Sequence, residues 1–189
     1  MEFVHPIKDQ EKIEAIKKIL AEKNQRDLLL FIFGINSGLR ISDLLELRIK
    51  DVLDINNNPK VSCEIREKKT GKNKIFILND RIREALKINY NEYEGSREEY
   101  LFKSRIGDNR PIGREQAWRI LSGAAKVVGI DARIGTHTLR KTFGYHAYQN
   151  GIDITLLQKI FNHSSPSITL RYIGIEQEDI NDVYKKLNL

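Results

Sequence analysis

The feature that most limits how this chain folds is an unbroken apolar run, LLLFIF, at residues 28–33. The spacing predicts a helix over residues 24–36, ended by Ser37-Gly38, and the run makes this helix apolar nearly all round. A helix of that kind has no face suited to water, so it is buried. Other elements of the fold must therefore cover it.

Periodic and capping patterns predict further helices around this one. Apolar residues at helical spacing indicate an amphipathic helix over about residues 8–23. Ser164-Ser165-Pro166 starts another helix, with proline at a favourable first-turn position. The remaining predicted helices are a short one near Ser42, one from Asn79-Asp80 to about Tyr90, one over 113–128, one over 137–149 capped by Thr136, one around 154–161, and one over 176–187.

A two-residue alternation of apolar and polar side chains predicts a β-hairpin over residues 61–78. Val61, Cys63 and Ile65 alternate with polar residues, which is typical of a strand, and residues 74–78 form a second strand. Thr70-Gly71-Lys72-Asn73 between them suits a turn. Tyr100-Leu101-Phe102 is a candidate third strand. The predicted fold class is α+β, mainly helical, with a small antiparallel sheet of about three strands.

Length and composition narrow the class of protein. A chain of 189 residues without a visible linker suits one domain, residues 1–189. No segment approaches the roughly 18 apolar residues of a membrane span, and residues 1–10 lack the apolar core of a secretory signal. Cys63 is the only cysteine, which excludes an intrachain disulfide and a cysteine-rich zinc site. We therefore expect a cytoplasmic protein with no membrane contact.

The charge balance points weakly to a polyanionic partner. The formal net charge is +6, and six lysines and arginines fall within residues 60–74. Many basic proteins bind no nucleic acid, and a basic hairpin by itself is most simply a solvated surface.

Three short segments carry the candidate chemistry. The first arginine segment (residues 37–44) places Arg40 at a helix start behind a glycine, and the His-Arg segment (residues 137–140) places His137 and Arg140 on one helix face. The tyrosine segment (residues 162–172) runs from Asn162-His163 to Tyr172. Each residue alone has an ordinary structural explanation, as a helix-end charge, a satisfied core histidine or a core tyrosine. Their order along the chain carries the functional hypothesis.

These segments resemble those of the tyrosine recombinase (phage integrase) family, over about residues 8–185. The resemblance implies the tyrosine recombinase catalytic-domain fold and a site whose residues follow in the family's order. They are Arg40, Lys69, His137, Arg140, His163 and Tyr172.

The sequence departs from the family pattern in two places. Asn162 stands where glycine is common, but asparagine also tolerates the left-handed backbone. Only about 35 residues precede the first arginine segment, so the family's N-terminal core-binding domain is apparently absent. The chain is then either an excised catalytic fragment or a minimal form of the family.

The resemblance implies that Tyr172 attacks a DNA phosphodiester and forms a 3′-phosphotyrosyl bond, without metal or cofactor. Arg40 and Arg140 would bind the phosphate oxygens as planar forks, and His163 would donate a hydrogen bond to one of them. His137 is the candidate proton acceptor, and Lys69 is the candidate acid for the leaving 5′ oxygen. Asp43 is expected to orient the site from behind Arg40.

The implied partner is double-stranded DNA, bound by a homo-tetramer on paired sites and by a monomer or weak oligomer without DNA. The C-terminal helix would pack on a neighbouring protomer, and the protein would be associated with the nucleoid. Phosphate contacts of this kind make binding sensitive to salt. The candidate DNA-binding residues are Lys68, Lys72, Lys74, Arg105 and Arg114.

Two other functions stay open from the sequence. A sequence-specific DNA-binding protein could share the fold without turnover, and a type IB topoisomerase-like enzyme would use the same chemistry to relax supercoils as a monomer. Trapping a covalent DNA adduct separates the first from a recombinase, and relaxation against two-site recombination separates the second. The target DNA and the host element are not readable from the residues.

Overall fold

In a computed structural model, the structure describes residues 4–135, 137–176, 179, 181, 184, 185 and 187. The described part is mainly helical, with one antiparallel hairpin. Its elements, in chain order, are α1 (Gln10–Lys23), α2 (Gln25–Ser37), α3 (Ile41–Leu44), α4 (Ile49–Val52), β1 (Ser62–Arg66), β2 (Asn73–Ile77), α5 (Asp80–Tyr90), α6 (Arg114–Val127), α7 (Thr138–Gln149), α8 (Ile154–Phe161) and α9 (Pro166–Ile173).

Helix α2 is the centre of the fold, as its apolar run predicts. Leu29, Leu30, Phe31 and Phe33 are buried, and α1, α5 and α7 pack around the helix. At Gly34 a Cβ atom would lie 2.3 Å from the Leu139 side chain of α7, so only glycine allows this approach. The close packing fixes α7, which carries the His-Arg segment, against the helix that leads into the first arginine segment.

The hairpin packs one face on the core and leaves the other exposed. Strands β1 and β2 are antiparallel, with Cys63 opposite Phe76 and Ile65 opposite Lys74. Cys63 is buried, whereas Ile75 and Ile77 on the opposite face of the hairpin are exposed. Residues 67–72, here called the hairpin turn, connect the strands, and Gly71 has a φ of +67° that suits glycine.

The predicted third strand at residues 100–102 is not a strand. Tyr100 and Lys103 form only isolated bridges, with Arg48 and Pro111. The Leu101 amide donates to the Leu47 carbonyl at 2.7 Å, so this short buried segment hydrogen-bonds to neighbouring loops instead. The sheet of the described residues therefore has two strands where the sequence predicts about three.

Helices α7, α8 and α9 form a smaller cluster around Leu157, Phe161 and Ile173. Helix α8 ends at Asn162, which adopts the left-handed conformation with φ 54° and ψ 49°. This is the conformation expected for a residue that replaces glycine. The Ser165 side chain accepts from the Ile168 amide and caps α9, and Pro166 lies in the first turn as predicted. The cluster brings the tyrosine segment onto the His-Arg segment.

Two predictions fall on residues outside the described part. Thr136, the predicted cap of α7, is one of them, and the helix itself begins at Thr138 with His137 in the cap position. Half of the residues of the C-terminal helix predicted over 176–187 also lie outside the described part. Among the described residues, no helix has the length and apolar character needed to cross a membrane.

Candidate active site

Arg140 is the buried anchor of the site. Its side chain donates to the carbonyl of Gly38, and through Nη2 to the carbonyl of Phe161 at 3.0 Å. The guanidinium carbon lies 4.6 Å from the centre of the Phe161 ring. Arg140 is only 3% exposed, and burial lowers the pKa of its guanidinium from the ordinary value. This one side chain thus links the first arginine segment to the end of α8.

Arg40 lies at the N-terminus of α3, in extended backbone just after the left-handed Gly38. Its Nη1 is 2.8 Å from Glu67 Oε1 and 3.8 Å from Asp43 Oδ2. Asp43 is buried, and its Oδ1 accepts from the Lys68 amide at 3.0 Å. The guanidinium therefore has a carboxylate partner in the hairpin turn as well as one on its own helix.

Tyr172, on α9, lies among aromatic side chains with its hydroxyl near His137. The Tyr172 Oη is 3.4 Å from His137 Nδ1, a long hydrogen bond of the kind that tightens when substrate binds. The Tyr172 ring centre is 4.9 Å from that of His163 and 5.5 Å from that of Phe161. Burial raises the pKa of Tyr172 above its ordinary value, and the positive charges of Arg140 and Arg40 oppose that rise.

His137 and His163 both have a pKa below the ordinary value. Burial lowers the pKa of His137, and the cations of Arg140, Lys141, Arg40 and Lys69 lower it further. Burial together with the two arginines lowers the pKa of His163. A neutral His137 can accept a proton, which is the state a general base requires.

His163 is held by its ring nitrogen Nδ1, which lies 3.1 Å from the Thr169 hydroxyl. Thr169 is buried in α9, and its hydroxyl also lies 3.2 Å from the Ser165 carbonyl, so its one proton can be donated to either acceptor. The ring orientation is therefore set from within the tyrosine segment. Nε2 is the nitrogen through which His163 can reach a phosphate.

Lys69 lies exposed in the hairpin turn, at the edge of this group. Its charge is one of those that lower the pKa of His137, so the turn is close enough to act on the site. Both of its chain neighbours are anchored. The Lys68 backbone amide donates a hydrogen bond to Asp43 Oδ1, and the Thr70 hydroxyl donates one to Glu67 Oε2 at 2.7 Å. The six predicted residues are thus brought to one region of the molecule, five closely and Lys69 at its rim.

Lys74 lies beside the site in the structure, and not out on the hairpin surface. The sequence predicts it as a DNA contact on the hairpin, but it is half-buried and donates from Nζ to the Ile160 carbonyl at 3.1 Å. Burial and the charge of Arg140 lower the pKa of Lys74 to about 8. The other candidate DNA contacts, Lys68, Lys72, Arg105 and Arg114, are exposed.

Sequence reasoning missed three charged residues of the site. Glu67 and Lys141 are each 5% exposed, and Lys141 Nζ lies 5.2 Å from the centre of the Tyr172 ring. Lys74 is the third, as a site residue instead of a surface contact. The two-residue alternation of the hairpin strands could have indicated two of them. Glu67 follows Cys63 and Ile65 at the inward-facing positions, and Lys74 falls on the same face as Phe76. Lys141 has no comparable signal.

Among the described residues, no group of three or more His, Cys, Asp or Glu side chains is placed to hold a metal ion. The polar groups that meet at Tyr172 are instead two guanidinium groups, two imidazoles and lysine amines. Such a set of donors suits an anion with several oxygens, and a phosphodiester is an anion of this kind.

Comparison with known proteins identifies the class. The model of the phage integrase family matches residues 8–178, which is most of the chain, and the chain belongs to this family. It is 52% identical over 187 residues to the probable integrase/recombinase YoeC of Bacillus subtilis (strain 168), covering 98% of this chain and 97% of that protein. A tyrosine recombinase of Pseudothermotoga lettingae is 33% identical over 91% of this chain and 58% of its own length.

Solved structures share the fold. The XerA recombinase superimposes with a TM-score of 0.76 at 21% identity, over all of this chain and 68% of that one. The catalytic domain of bacteriophage HP1 integrase gives 0.61 at 19% identity, over 96% and 95% of the two chains. The XerH recombinase, bound to its palindromic difH substrate after cleavage, superimposes with a TM-score of 0.72 at 20% identity, over 94% of this chain and 51% of that one. The predicted mainly helical recombinase fold is confirmed.

Proposed function

We propose that residues 1–189 act as the catalytic domain of a site-specific DNA recombinase that cuts and rejoins strands through Tyr172. The observation that carries the proposal is the meeting of a tyrosine hydroxyl with two arginines and two histidines around one anion-binding region. Membership of the phage integrase family supports it, as does the name of the YoeC relative.

In the proposed reaction, Arg40 and Arg140 bind the non-bridging oxygens of the scissile phosphate. Negative charge on these oxygens grows as the phosphorus is attacked, so donors fixed in advance stabilise the transition state more than the ground state. Arg140 is fixed by two carbonyl hydrogen bonds, and Arg40 by the Glu67 and Asp43 carboxylates. His163 adds a hydrogen bond from Nε2, which carries the ring proton when Nδ1 accepts from the Thr169 hydroxyl.

The covalent step joins Tyr172 Oη to phosphorus and breaks the bond from phosphorus to the 5′ oxygen. The phenol proton passes to His137, which lies 3.4 Å away and is neutral near pH 7 because its pKa is lowered. Lys69 supplies a proton to the departing 5′ oxygen, which would otherwise leave as an unstable alkoxide. Attack by a 5′-hydroxyl of a second strand reverses these transfers and restores a phosphodiester, so no external energy source is needed.

The DNA partner and assembly follow from the same proposal. Recombination pairs two duplex sites, which calls for a homo-tetramer on DNA and a monomer or weak oligomer without it. The exposed cations Lys68, Lys72, Arg105 and Arg114 would contact the backbone, and the protein would act at the nucleoid. Two proteins of similar fold support DNA as the partner. The XerH site-specific recombinase was solved bound to its palindromic difH substrate, and the Tn1549 transposon integrase in complex with transposon right end DNA.

A nicked suicide duplex tests the proposal, because loss of a short fragment after cleavage traps the covalent intermediate. The unmodified protein should form an adduct that survives denaturing gel electrophoresis, and Tyr172→Phe should bind the same DNA with affinity within about threefold but form none. Equal binding without an adduct in either protein would instead favour a DNA-binding module. Relaxation of supercoiled DNA without joining of two sites would favour a topoisomerase-like activity.

A further inference from the structure

We infer that Glu67 is a positioning residue that couples the phosphate-binding Arg40 to the proton donor Lys69, through the Thr70 hydroxyl. The inference rests on the proposed function and deepens it, since it assigns a role to a residue outside the predicted set. Two contacts support it, one at each oxygen of the Glu67 carboxylate: Oε1 pairs with Arg40, and Oε2 accepts from Thr70.

The first contact is the ion pair with Arg40. Glu67 Oε1 lies 2.8 Å from Arg40 Nη1, and Glu67 is 5% exposed, so water competes little for either partner. Burial raises the pKa of Glu67, but the hydrogen bond from Thr70 and the positive charge of Arg40 outweigh it and leave the pKa below its ordinary value. The group is therefore a carboxylate, which accepts hydrogen bonds at both oxygens.

The second contact runs to the hairpin turn. Glu67 Oε2 accepts from the Thr70 hydroxyl at 2.7 Å, and Thr70 directly follows Lys69. The Glu67 backbone closes the turn as well, since its amide donates to the Lys72 carbonyl at 2.9 Å and its carbonyl accepts from the Gly71 amide at 2.8 Å. On the other side of Lys69, the Lys68 amide donates to Asp43 at 3.0 Å.

Lys69 is exposed and its side chain is long, so its main chain must be held if the amine is to reach the same phosphate repeatedly. The two carboxylates hold the residues on each side of it, and both carboxylates also face Arg40. A phosphate that is bound by Arg40 therefore lies at a fixed distance from the turn that carries the acid. Glu67 is the only one of the two carboxylates that is itself part of the turn.

The test separates positioning of the acid from general support of the fold. The test uses a DNA substrate with sulfur in place of the bridging 5′ oxygen. Its 5′ strand leaves as a thiolate, which is stable without a proton. Cleavage rates are measured on the oxygen and sulfur substrates for the unmodified protein, Lys69→Ala, Thr70→Val, Thr70→Ser and Glu67→Ala. Glu64→Ala is the matched control, because Glu64 is an exposed carboxylate on β1.

Thr70→Val keeps the shape of the side chain and removes the hydroxyl. It should slow cleavage of the oxygen substrate about tenfold and cleave the sulfur substrate within about twofold of the unmodified protein. Thr70→Ser keeps the hydroxyl and should restore most of the rate on oxygen. Glu67→Ala should be slow on both substrates, with a smaller deficit on sulfur, because Arg40 also loses its partner. Glu64→Ala should match the unmodified protein.

The outcomes distinguish this inference from the proposed function. If sulfur restores Lys69→Ala but not Thr70→Val, or if Thr70→Val is as fast as the unmodified protein on oxygen, the coupling through Glu67 is wrong and the role of Lys69 stands. If sulfur does not restore Lys69→Ala, Lys69 is not the acid, and the proposed mechanism fails together with the inference.

Discussion

Arg140 and Lys69 are both proposed to act on one phosphate, but the protein holds them in opposite ways. Arg140 is 3% exposed, on a helix packed against the central α2, with two carbonyl acceptors and an aromatic ring around its guanidinium. Lys69 is exposed in a turn whose two anchors are hydrogen bonds to Asp43 and Glu67. Arg140 is part of the packed core, whereas the hairpin turn that carries Lys69 is held to the core by hydrogen bonds to two carboxylates.

The difference matches what each group must do. A phosphate-binding donor is most effective when it needs no reorganisation, which favours burial and fixed partners. A proton donor must approach the leaving oxygen in one step and take the proton back from the attacking hydroxyl in the next, which favours a side chain that can move. Substitutions in the core region should therefore affect both rate and stability, whereas those in the turn should affect mainly the rate.

The largest effect should come from Arg140→Lys. The lysine keeps the positive charge but loses the planar fork, so the cleavage rate should fall on the order of 10²–10³-fold. The buried carbonyls of Gly38 and Phe161 lose a donor, so stability should fall by about 1–3 kcal/mol. Single-turnover cleavage and denaturant unfolding measure the two quantities. Arg81→Lys, at an exposed position of α5, is the control and should change neither.

The pH dependence of cleavage should report the lowered pKa of His137. Burial and neighbouring cations disfavour the imidazolium, so the base stays neutral to lower pH than an ordinary histidine. At limiting DNA, the cleavage rate should be independent of pH near neutrality. Below a midpoint under pH 6.5, the rate should fall about tenfold per pH unit. The variant His137→Gln should lack this acidic limb. A midpoint above 6.5, or an unchanged limb in the variant, would remove His137 from the role of base.

Lys74 should give a smaller effect at alkaline pH. Its pKa is lowered to about 8, so the amine is charged below that pH and loses its charge above it. Affinity for DNA should fall by up to about tenfold between about pH 7 and 9 as the charged fraction falls. Lys74→Met should bind more weakly near pH 7 and show a flatter profile in fluorescence anisotropy. Lys87→Met, at an exposed position of α5, should keep the profile of the unmodified protein.

The smallest effects are expected for Arg105→Ala and Arg114→Ala, because both positions are exposed. Each should weaken DNA binding only about two- to fivefold and reduce the slope of log affinity against log salt by about one. A salt titration of binding measures that slope. An unchanged slope for either variant would remove that residue from the DNA-binding surface and leave the active site unaffected.

The sequence predicted the parts of the fold that depend on local patterns. The all-apolar run gave the central helix, and the cap and left-handed positions at Ser165 and Asn162 gave the ends of α9 and α8. The meeting of Arg40 with Arg140 was predicted only through the family resemblance. No periodicity relates residues that lie 100 positions apart.

The failures share one physical cause, which is dependence on contacts distant in sequence. Residues 100–102 have strand-like side chains, but their backbone bonds are taken by Leu47 and other loop residues. Lys74 was predicted as a DNA contact on a basic hairpin, and its partial burial was not predicted. Its burial depends on the Ile160 carbonyl of α8, which the local sequence does not reveal.

The most direct test of the central claim is to map the covalent linkage itself. Protein trapped on the suicide duplex is digested, and the DNA-bound peptide is sequenced by mass spectrometry while the free DNA end is labelled enzymatically. The account predicts a 3′-phosphate joined to Tyr172 and a free 5′-hydroxyl. Attachment through another residue, or to a 5′-phosphate, would contradict it.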